Sequence, residues 1–117
     1  MDGDRLSVSA EELCGSLGTA APPLIIDVRR QPAFDAARQL VAGAIRRTPE
    51  TIRDWAKDLP AGRSVVVYCV HGHEVSQNAA AALRDLGIDA RYLDGGIGAW
   101  TAASLPVRAK TVAATGQ

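Results

Sequence analysis

Cys69 closes an unbroken apolar run, Val65-Val66-Val67-Tyr68, and is followed by Val70-His71-Gly72-His73-Glu74-Val75 and a helix expected to open at Ser76. A buried strand carries no reactive group easily along its length, but its carboxyl end opens onto the crevice where α/β proteins bind ligands. The helix that follows offers unpaired N–H donors there. Those donors favour an anion, so the thiolate is stabilised over the thiol and becomes the better nucleophile. Cys69 is therefore the candidate for catalysis, and the loop Val70, His71, Gly72, His73, Glu74, Val75 and Ser76 is the candidate cradle for its substrate. Because Cys69, His71 and His73 alternate with single spacers, a soft metal such as zinc or copper is a rival occupant. Gly72 and the helix start argue for a backbone cradle instead, and the site is read as holding no metal.

The elements that position this loop follow from pattern. Ser9-Ala10-Glu11-Glu12 forms a capping box opening a short helix through Leu13 and Leu17. Pro22-Pro23 breaks the chain before a strand, Leu24 to Val28, that reads as buried on both faces. Pro32 begins a helix over Ala33 to Gln39, and Ala44-Ile45-Arg46 is a short strand. Thr48-Pro49 places a capping hydroxyl ahead of a helix through Ile52, Trp55, Ala56 and Leu59, with Trp55 in the core. The strand Val65 to Val70 follows the turn at Pro60-Ala61-Gly62, then an alanine-rich helix from Ser76 to Leu86 closed by Gly87. Ala90 to Leu93 is the last strand, Asp94-Gly95-Gly96 a turn, and Ile97 to Ala102 the last helix. Arg108 to Gln117 shows no apolar periodicity and reads as a frayed tail. Alternating strands and helices predict an α/β domain, a mainly parallel central sheet with helices on both faces.

With 117 residues, 47% of them hydrophobic, the chain suits one domain spanning 1–117 with a core over about 6–107. Thirteen basic and thirteen acidic side chains cancel, which argues against nucleic-acid or anionic-membrane partners. The apolar runs are too short to span a bilayer, and the acidic start Met1-Asp2-Gly3-Asp4-Arg5 lacks a secretory pattern, so a cytoplasmic location is expected. In a reducing compartment a disulfide between Cys14 and Cys69 is not expected. Cys14, inside the first helix, reads as a buried core thiol, and Cys69 as an exposed one.

Four separated segments carry a resemblance: Asp27-Val28-Arg29, Gly43-Ala44-Ile45, Tyr68-Cys69 and Leu93-Asp94-Gly95-Gly96-Ile97-Gly98-Ala99-Trp100. In this order they make the chain similar to the rhodanese-like domains over roughly residues 6 to 107. The resemblance implies a sulfurtransferase in which Cys69 attacks a small sulfur donor such as thiosulfate or a persulfide. The cysteine then carries the outer sulfur as a persulfide to a thiol or other nucleophilic acceptor, which can belong to a protein. No organic cofactor is implied, and the expected state is a monomer or weak homodimer. Asp27 and Arg29 would lie beside the site, bonding each other or the loop backbone as a brace.

The loop departs from the family pattern, a six-residue loop with glycine fourth and often arginine last. Gly72 fits. With Ser76 as helix start the loop runs from Cys69 to Val75, seven residues with valine in the last place. Counted forward from Cys69, Glu74 takes the arginine's place instead. Either register removes a cation, and the second adds a negative charge that repels thiosulfate. His71 and His73, when protonated, would restore positive charge, and Arg46 or Arg47 would do so if they approach the cleft. A seven-residue loop also resembles the phosphatase and arsenate-reductase branch of this fold, which relies on the missing arginine. A third alternative is a thiol- or persulfide-sensing module, or a binding module without catalysis.

Overall fold

Alternation along two central strands divides the interior into two cores. The computed structural model describes residues 6–110, and its five-stranded sheet has the order β1-β6-β5-β2-β4 with all pairings parallel. These strands are β1 (Ser7–Val8), β2 (Leu24–Asp27), β4 (Ile45–Arg46), β5 (Val65–Tyr68) and β6 (Ala90–Leu93). Successive side chains of a strand point to opposite faces. Ile25, Val66 and Tyr68 accordingly join a cluster with Leu13 of α1 (Ala10–Ser16) and Trp100 of α5 (Gly96–Ala102). Ile26, Val28, Val65 and Val67 join the opposite cluster, with Trp55 of α3 (Ile52–Ala56) and Ala79, Ala80 and Leu83 of α4 (Glu74–Asp85). Burial on both faces explains why β2 and β5 read as continuous apolar runs.

Local chemistry sets several boundaries as expected. The capping box is formed: Glu12 N donates to Ser9 Oγ at 3.0 Å, and Ser9 N donates to Glu12 Oε1 at 2.9 Å. Gly87, at φ +85°, ends α4 while Ile88 N donates to Leu83 O at 3.0 Å. Trp55 is buried, as its spacing predicts.

Other boundaries are corrected. The helix expected over Ala33 to Gln39 is α2 (Gln31–Ala36), because Ala37 turns extended at ψ 152°. The chain then forms β3 (Gln39–Val41), which pairs antiparallel with β7 (Val107–Ala109). The expected tail is therefore ordered at its start: Lys110 N donates to Arg38 O, and Arg108 Nη2 to Ala44 O, each at 2.9 Å. The rest of that expectation, residues 111–117, lies outside the described residues. Thr48 makes no side-chain cap, and its carbonyl instead accepts from Trp55 Nε1 at 2.8 Å. Among the described residues no helix is long and apolar enough to cross a membrane.

Candidate functional site

Cys69 follows β5 directly, and the loop after it is held from behind. Ile97 N donates to Cys69 O and Gly98 N to Val70 O, both at 3.0 Å. The first amides of α5 thus take the loop's carbonyls, which leaves the loop's own amides to face the other way. Contact is close enough to require glycine: a Cβ on Gly72, at φ +74°, would sit 2.6 Å from Gly95 N and 2.8 Å from Leu93 O. On Gly96 it would sit 2.5 Å from the carbonyl oxygens of Cys69 and Val70. The Asp94-Gly95-Gly96 segment is therefore the bed on which the loop lies.

By the parity of β5, Cys69 falls on the same face as Val65 and Val67, toward α4, and its Sγ lies 3.1 Å from Ser76 Oγ. Burial pushes the Cys69 thiol up, the largest single influence on it. The Ser76 hydroxyl and the amides of Ser76, Gly72 and His73 together outweigh that burial and hold the thiol below its ordinary value. The influences that favour the thiolate thus come mostly from backbone amides, with the Ser76 hydroxyl beside the sulfur.

Two expectations change here. α4 opens at Glu74, with His73 as N-cap and Gln77 N donating to His73 O at 3.1 Å. The left-handed turn at Gly72 reverses the chain early enough for winding to begin two residues before Ser76. Glu74 and Val75 are thus already helical, and Ser76 sits in the first turn, where both its amide and its hydroxyl reach the sulfur. The thiols also exchange places: Cys69 is only 6% exposed and Cys14 is half-buried, packed against the α1–α5 core. Cys69 is recessed because the loop folds over it, and it forms part of the wall of a cleft rather than a surface.

That cleft, of about 380 Å³, is bounded by Arg29, Arg30 and Ala33 on one side and by Cys69, Val70, His71, His73, Glu74 and Val75 on the other. His71 and His73 are exposed, with ring centroids 6.2 Å apart. Among the described residues no three His, Cys, Asp or Glu side chains are grouped to hold a metal ion, so Cys69, His71 and His73 do not converge on one point.

Asp27 and Arg29 are brought together, on each other. Arg29 Nη2 donates to Asp27 Oδ2 at 2.6 Å and to Gln39 O at 3.0 Å, and both residues are buried. Tyr68 Oη donates to Asp27 Oδ2 and accepts from Val41 N, each at 3.1 Å. Burial first, then the Asp27 charge, raises Tyr68 far above the ordinary phenol range, so it stays neutral. This network braces the carboxyl ends of β2 and β5 and makes no bond to the Cys69 loop. Arg46 donates to Arg29 O at 2.7 Å and lies 4.7 Å from the Phe34 ring centroid, and Arg47 donates to Arg46 O at 2.8 Å. Neither borders the cleft.

Beside Arg29, whose guanidinium Asp27 holds, a second cation borders the cleft, Arg30, which the sequence motifs do not single out. Val28 lies on the α4 face, and Arg30, two residues on in extended backbone at the N-cap of α2, borders the cleft, whereas the Arg29 guanidinium is turned onto Asp27.

Comparison with known proteins agrees with this geometry. A family model for the rhodanese-like domain matches residues 9–103. Thiosulfate sulfurtransferase GlpE of Tolumonas auensis is 32% identical over 77 residues, which cover 65% of this chain and 70% of that protein. A rhodanese-related protein from Thermoplasma volcanium superposes with a TM-score of 0.75 at 26% identity, covering 87% of this chain and 96% of its own. A full-length protein from Lactobacillus plantarum superposes with a TM-score of 0.79 at 22% identity, covering 90% and 88% respectively.

Proposed function

This chain belongs to the rhodanese-like domain family, and on that footing we propose that it is a sulfurtransferase working through Cys69. The Cys69 thiolate attacks the outer sulfur of a small donor, thiosulfate or a persulfide. The donor's S–S bond breaks as the new S–S bond to Sγ forms, and sulfite or a thiol leaves. With a persulfide RSSH, the leaving thiolate keeps the donor's proton and departs as RSH. An acceptor thiol, free or on a protein, then attacks the carried sulfur and releases Cys69. Negative charge stays on sulfur throughout, and the amides of Gly72, His73 and Ser76 are placed to stabilise it. The proposal locates this chemistry in the cytoplasm, in a monomer or weak homodimer.

The observation that supports it most is the recessed Cys69 sulfur, 3.1 Å from Ser76 Oγ at the carboxyl end of β5, with its thiol held below the ordinary value. The phosphatase or arsenate-reductase alternative rests on a wide loop running to Val75, and the early start of α4 removes that ground. Glu74 in the arginine's place favours a second reading, a thiol sensor or binding module without turnover. Sulfide release from thiosulfate or a small persulfide in the presence of excess thiol separates the two. Turnover by the wild type and its loss in Cys69→Ser support the transferase, whereas turnover surviving in Cys69→Ser excludes the role of Cys69. A folded wild type without turnover on either donor leaves the sensing or binding module.

A further inference from the structure

Two opposite charges stand at the cleft with nothing to neutralise them. Arg30 and Glu74 are both exposed and both border the cavity that holds Cys69. Among the described residues neither side chain has a hydrogen bond or ion-pair partner. Arg29 offers no further charge, because Asp27 occupies its guanidinium. Arg30 also borders an adjoining cavity of about 340 Å³ that includes Glu50, so it stands where the two spaces meet. Between the charges the walls are short and apolar, Ala33 and Val75.

A dianion such as thiosulfate meets one attraction and one repulsion at this mouth, and gains little net steering from it. A donor that carries a carboxylate and an ammonium finds both partners. Its carboxylate matches the planar fork of Arg30, its ammonium matches Glu74, and its short stem lies against the apolar walls with the sulfur over Cys69. Resting on the sulfurtransferase reading, we infer that the cleft selects a zwitterionic amino-acid persulfide over a dianionic inorganic donor, with Arg30 and Glu74 as the specificity-determining pair. In the loading step the Cys69 thiolate takes the outer sulfur of RSSH, the donor S–S bond breaks, and RSH leaves with the donor's proton.

The test is the single-turnover rate at which Cys69 gains one sulfur, followed by intact mass. The donors are cysteine persulfide, cysteamine persulfide (no carboxylate), N-acetylcysteine persulfide (no ammonium) and thiosulfate. The wild type should load fastest from cysteine persulfide. For exposed charges the expected changes are up to about fivefold each. Arg30→Gln should lower the preference for cysteine over cysteamine persulfide by that factor. Glu74→Gln should lower the preference for cysteine over N-acetylcysteine persulfide similarly and raise loading from thiosulfate. Preferences unchanged in both variants, or a wild type that loads fastest from thiosulfate, overturn the inference while leaving the transferase intact. Failure of Cys69 to load from any donor overturns the sulfurtransferase reading and this inference with it.

Discussion

Replacing Ser76 by alanine isolates the side-chain part of the cradle. The hydroxyl lies 3.1 Å from Cys69 Sγ, and Ser76 is fully buried. A hydrogen bond to a charged group is worth about 1.5–3 kcal/mol, which converts to roughly ten- to hundredfold less thiolate at a pH below the titration. The amides of Gly72, His73 and Ser76 remain, so the thiolate is weakened rather than abolished. A less stabilised thiolate is also intrinsically more nucleophilic, with a Brønsted slope of about 0.4–0.5, so the observed rate falls by only about four- to fifteenfold. The assay is alkylation of Cys69 by iodoacetamide, scored by intact mass across a pH series. For the wild type the rate should rise with pH through the depressed Cys69 titration and then level off. In Ser76→Ala the rise should come at higher pH, with a plateau at least as high. Superimposable profiles, or a rise at lower pH in the variant, would refute the reasoning that this hydroxyl stabilises the thiolate.

Three further outcomes concern the frame. Gly72→Ala should lower stability by about 2 kcal/mol or more in urea titration, since φ +74° and a Cβ 2.6 Å from Gly95 N strain the loop together. Asp27→Asn should cost about 3–5 kcal/mol in the same measurement, because it leaves the guanidinium of Arg29 buried without its anion. Tyr68 carries a folded-state pKa raised above its unfolded value, so its contribution is intact below about pH 10 and is lost as pH rises, at up to about 1.4 kcal/mol per pH unit. Subtracting the stability profile of Tyr68→Phe from that of the wild type isolates this slope. A difference that stays flat in alkaline solution contradicts the assignment.

Much of the fold is readable where one local rule decides it. β2 and β5 are set by apolar runs that follow turn residues, and α1 is set by its reciprocal Ser9–Glu12 cap. The β3–β7 pair is not readable in this way. Gln39 pairs with Ala109 and Leu40 with Arg108 across a separation that no local pattern encodes, and only Val41 opposite Val107 looks like a strand contact. The helix start at Glu74 is hidden for a related reason, since it follows from Gly72 being pressed onto the Gly95-Gly96 turn, a contact distant in sequence. The place of Cys69 and its loop at the carboxyl end of β5 is legible from strand, glycine and helix in succession. The recess of Cys69 is not, because it depends on how the loop folds over the thiol. Arg46 and Arg47 are the cations the sequence offers, but Phe34 and the carbonyls of Arg29 and Arg46 hold them away, while Arg30, at the N-cap of α2, borders the cleft.

The central claim is that one recessed, ionised sulfur at the end of β5 accepts and carries a sulfur atom. Intact-mass analysis of wild type and Cys69→Ser after incubation with thiosulfate and with cysteine persulfide tests it most directly. The account predicts a gain of one sulfur on the wild type, removed by reductant, and no gain on Cys69→Ser. A wild type that stays unmodified by both donors, or a Cys69→Ser protein that gains sulfur equally, would contradict it.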